Sequence, residues 1–275
     1  MHSPIFLKWA GGKRRILPLV ERYFPQTVER YFEPFLGGGS VFFHIKKKYN
    51  PKLCVISDTN KDLIDTYLNV RDYPTELIKY LNRLKKKHSK EYYYLVREKF
   101  NSKKFSSVER SAAFIYLNKT CFNGLYRVNS KNEFNVPIGS FERPGIFEEE
   151  TIYNASELLL DGVEIRHQDY REIQAEARRG DFIYLDPCYD PIKRTSFASY
   201  TPKRFQPQDR IDLFNFIEVL RKRGVKLLLS NNDVSEVKDL YKEGRYNIRK
   251  ITAPRFIGSK INYRGDVKEL LISTF

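Results

Sequence analysis

Hydrophobic residues follow two different periods along this chain. Short apolar runs with β-branched and aromatic content, LCVISD at 53–58, VEIRH at 163–167, FIYL at 182–185 and VKLLLSNND at 225–233, have the length of buried strands. NIRKIT at 247–252 and VKELLIST at 267–274 read as a closing pair of strands. Between these runs the spacing becomes helical. Ile16, Val20 and Tyr23 fall on one face, as do Val41, Ile45 and Lys48, then Ile152, Ala155 and Leu159. A helix over 207–223, ended by Gly224, carries Ile211, Phe214, Ile217 and Leu220. Alternation of this kind predicts an α/β fold with a mostly parallel sheet and an antiparallel C-terminal strand.

One stretch breaks the alternation. From 60 to 118 the pattern is helical only, through Leu63, Ile64, Tyr67 and Leu68, then Leu77, Ile78, Leu81 and Leu84, then 112–117. Within it Lys85, Lys86, Lys87 and His88 form a basic cluster, readable as a solvated face or as a phosphate contact. The block runs into 121–145, where two apolar runs flank a polar SKNE turn and predict a β-hairpin. Its exposed positions carry Asn123, Leu125, Arg127, Asn129, Asn135 and Pro137, a mixture of guanidinium, amide and apolar groups suited to major-groove edges. The expected division is therefore a sheet domain from 1–60 and 146–275, with 61–145 inserted as a helical and hairpin recognition domain. The polar, aromatic segment 194–205 reads as a flap, and KINYRGD at 260–266 as a basic segment that orders on a partner.

Composition adds a partner. Lys and Arg number 49 against 34 Asp and Glu, a net charge of +15, for which phosphate backbones are the natural complement. The cysteines, Cys54, Cys121 and Cys188, have no disulfide or zinc spacing, so no metal is expected. No apolar run reaches the ~18 residues of a membrane span and the N-terminus has no secretory pattern, so a soluble cytoplasmic, nucleoid-associated protein is expected.

The central strand 182–185 ends on Asp186 and Pro187, the place where open α/β sheets bind ligands. Proline lacks an N–H, so a carboxylate and carbonyls project there as acceptors. A nucleobase amino group needs such acceptors, because its lone pair is delocalised until its N–H bonds are held. Tyr189 could stack on that base. The bland alternative is an ordinary Asp-Pro turn. Upstream, a strand, the triplet Gly37, Gly38 and Gly39, and a helix with Ser40 as its expected N-cap make a Rossmann-like nucleotide-binding start. Phe42 stands where the dinucleotide fingerprint needs glycine, which argues for a cofactor without pyrophosphate. The next strand ends on Asp58, placed to accept ribose hydroxyls. FLKWAGGK at 6–13 is not a P-loop, since Leu7 and Arg14 stand where that motif needs glycine and a hydroxyl.

FLKWAGGK, FEPFLGGGSVFF at 32–43, NGLYRVN at 123–129 with FNVP at 134–137, and DPCY at 186–189 followed by SNND at 230–233 occur in an order that resembles the Dam-type DNA adenine-N6 methyltransferases, from Phe6 nearly to the end. The resemblance implies S-adenosylmethionine, with S-adenosylhomocysteine as product, in a pocket of Trp9, Lys13, Glu33, Phe35, Gly37, Asp58, Asp169, Tyr170 and Asp186. It implies catalysis by Asp186, Pro187 and Tyr189 on a flipped adenine by direct in-line transfer. A GATC target in double-stranded DNA would be read by a monomer through Lys8, Phe122, Asn123, Leu125, Arg127 and Pro137, beside the hairpin's Asn135. Cys188 departs from the family, which has proline there; it restores an N–H and frees φ. Cytosine-N4 methylation, a Rossmann oxidoreductase and a non-catalytic DNA-binding relative are the alternatives.

Overall fold

A computed structural model describes residues 3–9, 11–140, 144–187, 206–242, 244–254 and 266–275. In chain order the elements are α1 (Leu17–Val20), β1 (Arg30–Glu33), α2 (Ser40–Tyr49), β2 (Leu53–Asp58), α3 (Lys61–Asp72), α4 (Pro74–Lys86), α5 (Lys90–Asn101), α6 (Ser107–Thr120), α7 (Glu149–Leu160), β3 (Val163–His167), β4 (Phe182–Leu185), α8 (Pro207–Lys222), β5 (Lys226–Asn232), α9 (Ser235–Leu240), β6 (Asn247–Pro254) and β7 (Asp266–Ser273). Among the described residues the strands form one sheet in the order β3-β2-β1-β4-β5-β7-β6. β1 to β5 are parallel, and β7 runs antiparallel to both β5 and β6. This is a Rossmann-like sheet with a reversed C-terminal strand.

Strand periodicity sorts side chains onto two cores. Tyr31, Ile56, Phe182, Tyr184, Leu228 and Leu271 face α1, α2 and the helices α3 to α7. Phe32, Val55, Ile183, Leu185, Leu227, Leu229 and Ile272 face α8 and α9. The helical block shares the first of these cores with the sheet. Arg110 on α6 donates to both oxygens of Asp62 on α3, at 2.6 and 3.0 Å, and stacks on Phe100 of α5.

Three local expectations are corrected. Ser40 is the first residue of α2, and the cap is Gly39, left-handed at φ 66°. The buried face of α8 is Leu213, Phe216, Ile217 and Leu220, while Ile211 is exposed. That face follows from a stripe wider than one i, i+3, i+6 row. The first helix breaks into 3-10 turns around Leu17–Val20, with Ile16 and Val20 buried.

The segment after α6 is an antiparallel ribbon without regular strands. Cys121 bridges Ile138 and Val128 bridges Phe134. Side chains of α5 bond the outward-facing edge of the ribbon's second arm: Asn101 accepts from Phe134 N–H at 2.9 Å and donates to its carbonyl at 3.0 Å, and Tyr93 donates to Val136 O at 2.9 Å. Alternation survives. Tyr126, Val128, Phe134 and Val136 are buried, whereas Leu125, Arg127, Asn129, Asn135 and Pro137 lie on the other face.

Candidate active site

Each parallel strand hands a polar residue to the same edge of the sheet. β1 ends on Glu33, β2 on Asp58, β5 on Asn231 and Asn232, and β4 is followed at once by Asp186. Period 2 puts Glu33 on the face of Tyr31 and Asp186 on the face of Tyr184. β7 runs the opposite way, so its early residue Glu269 arrives where β5 ends, opposite Asn232.

Lys13 enters this row of acids from the turn before α1. Its Nζ lies 2.8 Å from Asp186 Oδ1 and 3.5 Å from Glu269 Oε2, and donates to Gly11 O at 3.0 Å. The Lys13 N–H donates to Ser40 Oγ at 3.2 Å, which fixes the turn on α2. Burial works to lower the ammonium, but Asp186, Tyr184 and Glu269 hold it above its ordinary value. Burial pushes the Glu33 carboxyl up to about 8, against the hydrogen bond that Tyr31 OH donates to it at 2.6 Å. Burial also raises Glu269, against the attraction of Lys13.

Glu33 therefore gives a testable pH signature. Its folded-state value lies above the ordinary 4.5, so the native state holds a proton that the unfolded chain has lost between 4.5 and about 8. Stability is expected to fall as pH rises through that window and to level off above it. Denaturant unfolding of Glu33→Gln should lack this component; the same slope in both proteins would assign the proton elsewhere.

The glycine turn sits beside this row. Gly37 adopts φ 48°, its N–H donates to Asp58 Oδ2 at 3.1 Å, and Tyr67 OH donates to its carbonyl at 3.1 Å. A Cβ on Gly37 would fall 2.6 Å from Trp9 Cδ1, so only glycine lets the indole lie against the turn. Trp9 stacks on Tyr126 of the ribbon, centroids 5.6 Å apart and planes at 18°. The other oxygen of Asp58 accepts from Asn60 N–H at 2.9 Å, and the Thr59 backbone also bonds the carboxylate, so three of its roughly four acceptor positions are engaged. Phe35 stacks on Tyr170 at 5.3 Å. Asp169 is already engaged, capping the turn that follows β3 and pairing with Arg171 at 2.7 Å.

The residues expected to contact DNA gather on the ribbon and the N-terminal segment. Asn118 clamps Lys8 from both sides, accepting from its N–H at 2.8 Å and donating to its carbonyl at 2.7 Å, and the Lys8 side chain is exposed. Phe122 is 41% exposed beside Asn123, which holds φ 55°. Arg127 Nε donates to Asn135 Oδ1 at 2.7 Å, and Nη2 reaches the Asn135 carbonyl at 3.4 Å. Lys85, Lys86 and Lys87 are exposed, but His88 is not part of that face: it bonds Tyr116 OH at 2.8 Å. Cys54 and Cys121 are buried free thiols, each pushed up to about 12 chiefly by burial. Cys188, Tyr189 and the segments 194–205 and 260–265 lie outside the described residues.

Sequence patterns did not assign Tyr31, Asn118, Tyr126 or Glu269 to the site, and placed Tyr67 only on a helix face. Glu269 had a signal, an acid between apolar residues on the same strand face as Leu271.

One edge of the Rossmann-like sheet thus carries a glycine turn after β1, acids at the ends of β1 and β2, and an Asp-Pro step after β4. Residues 9–256 match the family described as D12 class N6 adenine-specific DNA methyltransferase. The chain is 40% identical to the type II methyltransferase M1.LlaDCHI of Lactococcus lactis subsp. cremoris, covering 98% of this chain and 95% of that one. It is 43% identical to the type II methyltransferase M.MjaIII of Methanocaldococcus jannaschii, with 98% of each covered. Identity to the DNA adenine methylase of Vibrio cholerae is 35%, over 97% and 94%. The chain belongs to the D12 class of N6 adenine-specific DNA methyltransferases. Among the alternatives, the family favours adenine over cytosine and excludes the oxidoreductase. No helix among the described residues is long and apolar enough to cross a membrane.

Proposed function

We propose that this enzyme methylates adenine N6 within GATC in double-stranded DNA, using S-adenosylmethionine held at the carboxyl ends of β1, β2 and β3. The observation that carries the reading is Asp186, which stands at the end of β4 on the strand next to β1 and its glycine turn. Trp9, Lys13, Glu33, Phe35, Gly37, Asp58, Asp169, Tyr170 and Asp186 line the cofactor side. Asp58, engaged by three backbone groups, retains acceptor capacity for a ribose hydroxyl, and the Phe35–Tyr170 stack offers an aromatic wall. When bound, S-adenosylmethionine supplies a methyl group activated on a sulfonium.

The chain's own work is positioning. A carboxylate oxygen of Asp186 and the carbonyl of Pro187 accept the two N–H bonds of the target amino group, so its nitrogen can pyramidalise toward the donor. Tyr189 stacks on the adenine, which must leave the duplex to reach this edge. Asp186 can then take up the proton that N6 loses. Residues 61–145 act as the recognition unit, and the protein works as a monomer in the cytoplasm, where its DNA lies. The greater identity to two type II methyltransferases favours a restriction-modification role.

Lys8, Phe122, Asn123, Leu125, Arg127, Asn135 and Pro137 contact the target. Asn135 engages two of the guanidinium donors of Arg127 and orients the fork, which leaves donors for O6 and N7 of a guanine. If Arg127 reads that base, Arg127→Ala costs about 1–3 kcal/mol on GATC and much less on sites altered at the guanine, with an unchanged salt slope. Methylation rates on GATC and single-substitution duplexes across a salt series test this. Uniform weakening with a slope reduced by about one makes it a phosphate contact instead.

A further inference from the structure

We propose that Glu269 is a positioning residue for methyl transfer: it shares the Lys13 ammonium with Asp186, and so holds Asp186 with acceptor capacity left for the target amino group. The inference rests on the role of Asp186 given above. Four side chains stand in a row across one face of the sheet, Glu33 on β1, Asp186 after β4, Ser230 on β5 and Glu269 on β7. Lys13 lies over the row and is 1% exposed. Its contacts with Asp186 at 2.8 Å and Glu269 at 3.5 Å draw one cation toward two carboxylates. Ser230 Oγ donates to Glu269 Oε2 at 3.3 Å and fixes the second of these.

The chemistry requires such sharing. A carboxylate that gives itself wholly to a buried ammonium is a poorer acceptor for a third group. Without a second anion, Lys13 would close on Asp186 alone, at the moment when Asp186 must accept an amino N–H. The antiparallel register of β7 on β5 sets Glu269 opposite Asn232 and on the sheet face of Ser230. The groups facing Glu269 are Lys13 and Asp186, with Ser230 and Asn232 on β5 and Ile251 on β6. Tyr184 and Glu33 complete the charge field around Lys13 and Asp186.

Glu269→Gln keeps the size and the acceptor for Ser230 but removes the charge. It is expected to lower kcat by about tenfold or more, the loss of one charge-assisted contact, while KM for DNA stays within about twofold. Glu269→Asp, which restores the charge, should recover most of the rate. In cofactor-free protein labelled at lysine nitrogens, the Lys13 ammonium resonance, assigned by its loss in Lys13→Met, should move in Glu269→Gln and stay near its wild-type position in Glu269→Asp. Equal losses in both variants, a loss that tracks thermal stability, or an unmoved Lys13 resonance would overturn the proposal. Wild-type turnover in a parallel Asp186→Asn variant would overturn the underlying site reading. Failure of Glu269→Gln alone, with Asp186 essential, overturns only the role of Glu269.

Discussion

Asp186→Ala is expected to lower turnover by at least about two orders of magnitude, the scale of losing a key transition-state acceptor. The reason lies in the substrate. An adenine amino nitrogen has its lone pair in the ring, so acceptors must hold its hydrogens before it can attack a methyl group. Asp186 follows the last residue of β4 directly, and its side chain is 19% exposed, open to a ligand yet largely screened from water. DNA affinity should change little, because the contacts proposed to select the sequence are those of the ribbon around Arg127 and of Lys8. Single-turnover rates and duplex binding measured on the same protein separate the two. Near-normal methylation would remove Asp186 from the mechanism.

Lys13→Met should have the largest effect on stability. Lys13 is the buried cation that compensates Asp186 and Glu269, and breaking a buried pair by removing one partner costs roughly 3–5 kcal/mol. Deprived of the ammonium, the acids repel one another and hold protons more tightly in the folded state. Stability of the variant should therefore fall more steeply than that of wild type as pH rises, because the native state would bind more protons than the unfolded chain. Adding Glu269→Gln to Lys13→Met should recover part of the loss, since one uncompensated charge is gone. Urea unfolding across a pH series measures all three proteins. A Lys13→Met variant as stable as wild type at neutral pH would mean that the acids are solvated rather than compensated.

Elements closed by strong punctuation were legible in the sequence. β2 and β4 occupy the residues of their apolar runs, because Pro51 precedes one, Pro187 follows the other and an acid ends each run. Local chemistry was less legible where tertiary contacts overrode it. Ser40 has the composition of an N-cap, yet its hydroxyl is taken by the Lys13 N–H and Gly39 makes the turn. The ribbon after α6 keeps hairpin pairing in part, with Asn135 N–H donating to Arg127 O at 3.1 Å and Asn129 N–H to Glu133 O at 2.9 Å, while Tyr93 and Asn101 of α5 bond the backbone groups of Phe134 and Val136 that face away from the opposite arm.

The candidate site divides in the same way. Asp58, Gly37 and Asp186 could be read from strand ends and a glycine turn, since those positions follow from chain geometry alone. Glu269 could not be assigned to the site, because its place depends on the antiparallel register that sets it opposite Asn232. The stack of Trp9 on Tyr126 was equally hidden, since 117 residues of chain separate motifs that look independent in sequence. It puts the glycine turn and the ribbon after α6 in contact through one indole.

The proposed reaction is methylation of adenine N6 in GATC at the edge that Asp186 occupies. Its most direct test is to incubate the enzyme with labelled S-adenosylmethionine and short duplexes that differ only at the GATC positions, then digest the DNA to nucleosides and identify the labelled product. N6-methyladenine from the GATC duplex, with little label in the single-substitution duplexes, is the expected result. Label in N4-methylcytosine, or N6-methyladenine formed equally on every duplex, would contradict it.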